Sequence, residues 1–175
     1  MTMKIKNLLL ASHGTPGGRV AEQAALDLCS AQSQFAAQPA ALHHLVVAPD
    51  FWKGMMGDDW LNNAVTQIRF GNYVENQIAK EVAVEVERVA TAAEAAGIAY
   101  STELVLGKPA DCLVATAQRG PKGGGPEGGG VYDLVVIGSP RPRGVPGLRS
   151  RMALETLVRG LGAPLMIVPH PGSGQ

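Results

Sequence analysis

Apolar residues along this chain fall into two kinds of run that alternate. The first kind is short and apolar throughout: LLLA at 8–11, LVVA at 45–48, LVVIG at 134–138 and LMIV at 165–168. Runs of that form are what parallel strands buried on both faces require. With their flanks they predict strands over 5–11, 44–48, 133–138 and 164–169, and a further strand over 99–106. The second kind recurs at three or four residues. Val74, Ile78, Val82, Val86, Val89 and Ala93 mark one face of a long helix over 73–96, stopped by Gly97 where a C-cap glycine belongs. Leu154, Leu157, Val158 and Leu161 make a similar stripe over 150–161. Helical sequence also covers 19–34, and 109–118 opens with Pro109 in its first turn, where a missing N–H costs little.

Strand and helix in alternation predict an α/β fold with a doubly wound, five-stranded parallel sheet of Rossmann type. The sequence contains no internal repeat. One domain is expected over 1–170, with a tail that frays from about His170. Two segments break the alternation. Residues 119–130 read RGPKGGGPEGGG, which sustains neither helix nor strand, so 119–131 is expected to be a flexible surface loop. Residues 50–72 are long for a βα connection and hold Phe51, Trp52, Met55, Met56, Trp60 and Phe70. That insertion either packs on the core as a flap or offers a surface, from Phe51 to Trp60, to a protein partner.

Composition narrows the class. The 175 residues are 46% hydrophobic and 17% charged, which is globular, and 15 basic residues balance 15 acidic ones. A formal charge of zero points to neither nucleic acid nor an anionic membrane as partner. No apolar run approaches the roughly 20 residues of a membrane span, and 8–11 is too short for a signal peptide, so a cytoplasmic protein is expected. Cys29 and Cys112 lie in helical sequence and outside any CxxC pair, as reduced thiols do in a reducing compartment.

Residues 133–169 read DLVVIGSPRPRGVPGLRSRMALETLVRGLGAPLMIVP. An apolar strand ends in Gly-Ser, a basic glycine-containing loop follows, then a helix and a Pro-led final strand. This resembles the C-terminal half of universal stress proteins, and the first strand with its glycine-containing turn fits that family more loosely. The resemblance implies strand order 3-2-1-4-5. It implies a regulatory or stress-response module rather than an enzyme, ATP or AMP as ligand, and a homodimer paired through the last strand from Pro164 to Pro169. A short apolar edge strand of that kind needs covering.

Nucleotide-binding members are similar in carrying Gly, two residues, Gly, nine residues, then Gly and Ser or Thr. The glycines let backbone N–H groups approach phosphate oxygens, and the hydroxyl caps the helix facing the anion. Here Gly138 takes the first position, but Arg141, Arg151 and Met152 take the others. Starting instead from Gly144 and Gly147 leads to Leu157, so that frame fails as well. Ser150 is left as a cap for the helix. An acid that commonly follows the first strand is matched by His13.

The nucleotide or anion candidates are therefore His13, Gly14, Val47, Gly138, Ser139, Arg141, Arg143, Arg149, Arg151 and Met152. The motif reads as degenerate, which argues against ATP or AMP. The four arginines form either a side-chain anion site or a solvated basic loop paired with acids such as Glu155. Two other readings stay open. The start, LLLASHGTPGG, is similar to small cobalt- and iron-inserting chelatases, which would make His13 a metal ligand. Yet no second ligand stands at metal-like spacing, His43 and His44 being expected at the opposite end of the second strand, and no catalytic Ser-His pairing is predicted. The chain could otherwise serve as a docking subunit of a larger complex.

Overall fold

The computed structural model describes residues 4–12, 16–35, 39–48, 64–121, 131–140 and 152–171. Five strands, β1 (Asn7–Ser12), β2 (Ala41–Ala48), β3 (Ala99–Leu106), β4 (Leu134–Gly138) and β5 (Leu165–Val168), form one sheet in the order β3-β2-β1-β4-β5. Every neighbouring pair is parallel. The helices are α1 (Pro16–Phe35), α2 (Ala64–Ala95), α3 (Pro109–Arg119) and α4 (Leu154–Gly160). Class and strand order are those expected.

Successive residues of a strand point to opposite faces, so each all-apolar run feeds two cores. Leu8, Leu10 and Leu42 pack with Ala21, Ala25 and Cys29 of α1 and Ala93 of α2. Leu9, Leu45, Val47, Val135 and Ile137 face the other way, against Leu113 of α3 and Leu157 of α4. The long helix ends as predicted: Gly97 has φ +67° and the Ile98 N–H reaches the Ala93 carbonyl at 2.9 Å. Among the described residues no helix is long and apolar enough to cross a membrane.

Four element starts differ from the sequence reading by three residues or more; α1 begins at Pro16 rather than 19. β2 begins at Ala41, since Ala41 and Leu42 find partners on both sides, in Asn7 and Leu8 and in Ala99 and Tyr100. His43 and His44 are consequently in the body of the strand rather than flanking its start. α2 begins at Ala64, so 64–72 belongs to the helix and not to a connection; that stretch holds one glycine, Gly71, and no proline. α4 begins at Leu154 instead of 150. Its N-cap is Ala153 (φ −81°, ψ 94°) with no side-chain cap, and Met152 before it sends its side chain into the core at 9% exposure. Ser150 lies outside the described residues. His170, expected to begin a frayed tail, is buried.

Candidate functional site

Strand order reverses between β1 and β4, and the carboxyl ends of these strands flank the crevice where open α/β sheets take ligands. The first turn of α1 is packed hard into this place. A Cβ on Gly138, the last residue of β4, would lie 2.5 Å from the carbonyl carbon of Gly17 and 3.1 Å from the Gly18 nitrogen. A Cβ on Gly17 would meet the Ser139 carbonyl oxygen at 3.1 Å and the His170 ring at 3.4 Å. The Ser139 N–H donates to the Val168 carbonyl at 2.8 Å, and the Ser139 hydroxyl accepts the His170 N–H at 2.7 Å. That side-chain bond extends the β4–β5 ladder by one step and draws the chain after β5 over the helix start.

Beneath the crevice, on the α1 and α2 side, a chain of polar side chains runs from buried Ser12, Glu22 and His44 out to half-buried Tyr100 and exposed Arg88. Ser12 Oγ lies 2.8 Å from Glu22 Oε1 and 2.7 Å from His44 Nε2, and His44 Nδ1 lies 2.8 Å from the Tyr100 hydroxyl. Glu22 also meets the Arg88 guanidinium. Arg88 bridges on to Glu85 at 2.8 Å, and Glu85 to Arg19 at 2.7 Å. Ser12, Glu22 and His44 are at most 3% exposed. Donor counting assigns the protons. Glu22, paired with Arg88, accepts from the Ser12 hydroxyl, so Ser12 in turn accepts from His44 Nε2–H. Nδ1 is then the lone-pair nitrogen and takes the Tyr100 hydroxyl proton. Burial, followed by the neighbouring His43 and Arg88 charges, lowers the His44 pKa to about 4, in keeping with a neutral ring. Glu85 is held below its ordinary value: burial opposes this, and hydrogen bonds from Arg88 and Arg19 outweigh it.

No family model matches the chain, and no curated protein matches it. Solved structures do. The hypothetical protein MJ0577 superposes with a TM-score of 0.68 at 16% identity, over 98% of this chain and 100% of that one. A universal stress protein family member from Burkholderia pseudomallei reaches 0.63 at 17% identity, over 97% and 99%. Universal stress protein UspA from Lactobacillus plantarum reaches 0.58 at 16%, over 95% and 99%. The chain has the universal stress protein fold.

Within the universal stress protein fold the candidates of the sequence reading separate. Gly138 and Ser139 stand at the crevice, Gly138 because α1 leaves no room for a side chain. Met152, in the motif's hydroxyl position, joins the core cluster of Ala11, Ile137 and Leu157. Val47 is in β2 with its side chain in the same cluster, which leaves only its main chain for a ligand. His13, Gly14, Arg141, Arg143, Arg149 and Arg151 lie outside the described residues, as does the segment from Phe51 to Trp60.

The pairing of Ser12 with His44 was missed by sequence reasoning. Its signal was present: Ser12 closes an apolar strand, His44 interrupts another, and Glu22 stands among Ala21, Ala25 and Leu26 on the buried face of α1. A serine nucleophile would need to give its proton to a histidine lone pair. Here Ser12 gives it to Glu22 and receives one from His44, out of reach of solvent. The arrangement ties β1, β2 and β3 to α1 and α2. His43, on the opposite face, bonds Ser101 Oγ at 2.8 Å and stacks on Tyr132 with ring centroids 6.1 Å apart. Among the described residues no three His, Cys, Asp or Glu side chains group to hold a metal.

Proposed function

We propose that the chain is a universal-stress-protein-like regulatory module of the cytoplasm, homodimeric through β5, whose nucleotide site is degenerate and takes no ATP or only a small anion. The observation that carries this reading is the side chain of Met152, buried in the core where a nucleotide-binding site presents a hydroxyl at a helix start. The one motif glycine retained, Gly138, has a packing reason that needs no ligand. A universal stress protein family member from Arabidopsis thaliana, similar over 95% of this chain at 13% identity and a TM-score of 0.59, was solved with AMP bound. In sequence, this chain has Arg141 and Arg151 at the motif positions where a phosphate path needs glycine. β5 supports the dimer: it is an edge strand whose Met166 and Ile167 are 37% and 39% exposed.

Titration with a fluorescent ATP analogue tests the site. The wild-type chain is expected to show no saturable binding, and R141G/R151G/M152S to acquire it. Stoichiometric nucleotide released from the purified wild-type chain would sink the reading.

A further inference from the structure

We propose that the outer edge of β3 is a second self-association surface, which pairs antiparallel with β3 of another copy about a two-fold axis at Leu104. This does not rest on the nucleotide reading. Among the described residues β3 is the other edge of the sheet, twice as long as β5, with eight residues against four. The bonds from the Ala99 and Gly107 N–H groups to Ala40 and Ala48 fix which main-chain groups face β2. Odd-numbered residues of β3 turn N–H and C=O inward, so Tyr100, Thr102, Leu104 and Leu106 turn theirs outward. These same four side chains share one face of the sheet by alternation. Leu104 and Leu106 remain 45% and 44% exposed there, large apolar groups on a long edge of the kind folded proteins cover.

The occupant follows from the register. Outward-turned residues must oppose outward-turned residues, or inward oppose inward, which leaves few two-fold centres. An axis at Glu103 puts Glu103 directly opposite its twin, a like-charge pair at the narrow spacing of a non-hydrogen-bonded site. An axis at Thr102 sets Leu104 against Tyr100 and strands Leu106 beyond the other strand. An axis at Val105 shortens the overlap. The axis at Leu104 sets Leu104 on Leu104 and Leu106 on Thr102 in reciprocally bonded pairs, and places Glu103 opposite Val105. One strand is thus complementary to a second copy of itself in apolar contact, in hydrogen bonding and in the placing of its one charge.

Sedimentation of the full chain isolates this contact in M166K, which charges the β5 edge. M166K is expected to remain a dimer and L104K/M166K to become a monomer, with circular dichroism checking that each is folded. If M166K changes nothing relative to wild type, the β5 reading fails while the β3 comparison still stands. In a C112S background, mild oxidation is expected to link L104C chains in pairs and to leave T102C chains unlinked, because only position 104 meets its own twin. M166K sedimenting as a monomer at every concentration, T102C linking as readily as L104C, or an L104C thiol shielded from maleimide within a monomer would each overturn the proposal.

Discussion

The Ser12 hydroxyl lies 2.7 Å from His44 Nε2, bridging two adjacent parallel strands inside a region closed to water. Each residue of the pair has one further partner, Glu22 at Ser12 Oγ and Tyr100 at His44 Nδ1, so neither can be removed without leaving another polar group alone. A buried network of this kind is stable only when every member is satisfied.

Ser12→Ala should therefore cost far more than one hydroxyl. It strands the His44 Nε2–H and one Glu22 oxygen together, a loss of roughly 2–4 kcal/mol in urea-unfolding free energy at neutral pH. A change under about 0.5 kcal/mol, the usual range of a surface substitution, would contradict the assigned chain of bonds.

Acid should weaken the fold through His44. Its pKa lies near 4 in the folded chain, against 6.5 ordinarily, so the unfolded chain binds the proton more readily. The contribution is fully present above pH 6.5 and is lost as pH falls from 6.5 towards 4, by on the order of 3 kcal/mol. Unfolding free energies measured at half-unit steps should show that slope in the wild type and a shallower one in His44→Gln.

Two glycines should respond oppositely to alanine. At Gly138 the new methyl group meets main-chain atoms of Gly17, which cannot rotate away, and a loss of about 1–3 kcal/mol is expected. At Gly162 a Cβ meets nothing within 4 Å, so alanine there should be neutral or stabilising by a few tenths of a kcal/mol. Thermal melts of the two variants side by side provide the check.

The two thiols should differ in reactivity. Burial pushes the Cys29 thiol up to about 11 and leaves it 0% exposed, whereas Cys112 is half-buried on α3. A maleimide at neutral pH should label Cys112 first, and Cys29 at a rate that follows global unfolding and rises with urea.

Where chemistry agreed with periodicity, the elements were legible in advance. β3 falls on its predicted residues, and Gly97 ends α2, because β-rich sequence and a positive φ are local demands. β2 was read three residues short since Ala41 and Leu42 become strand only by pairing with neighbours on either side. α4 starts four residues later than expected: its apolar stripe begins only at Leu154, and Met152 ahead of it is drawn into the core. That Arg141, Arg151 and Met152 stand where the nucleotide-binding spacing has Gly, Gly and Ser or Thr is readable as bare spacing from Gly138. That Gly138 answers to Gly17, more than a hundred residues earlier, is not.

The order of polar and apolar residues by itself determined that this chain forms a parallel sheet with helices on both faces, because each all-apolar run can be buried only between two layers. The partners of Ser12, Glu22, His44, Tyr100 and Arg88 were decided by tertiary structure alone. They come from five separate elements, and hydrogen bonds of fixed length select among buried groups only after strand register and helix docking have brought them within 3 Å.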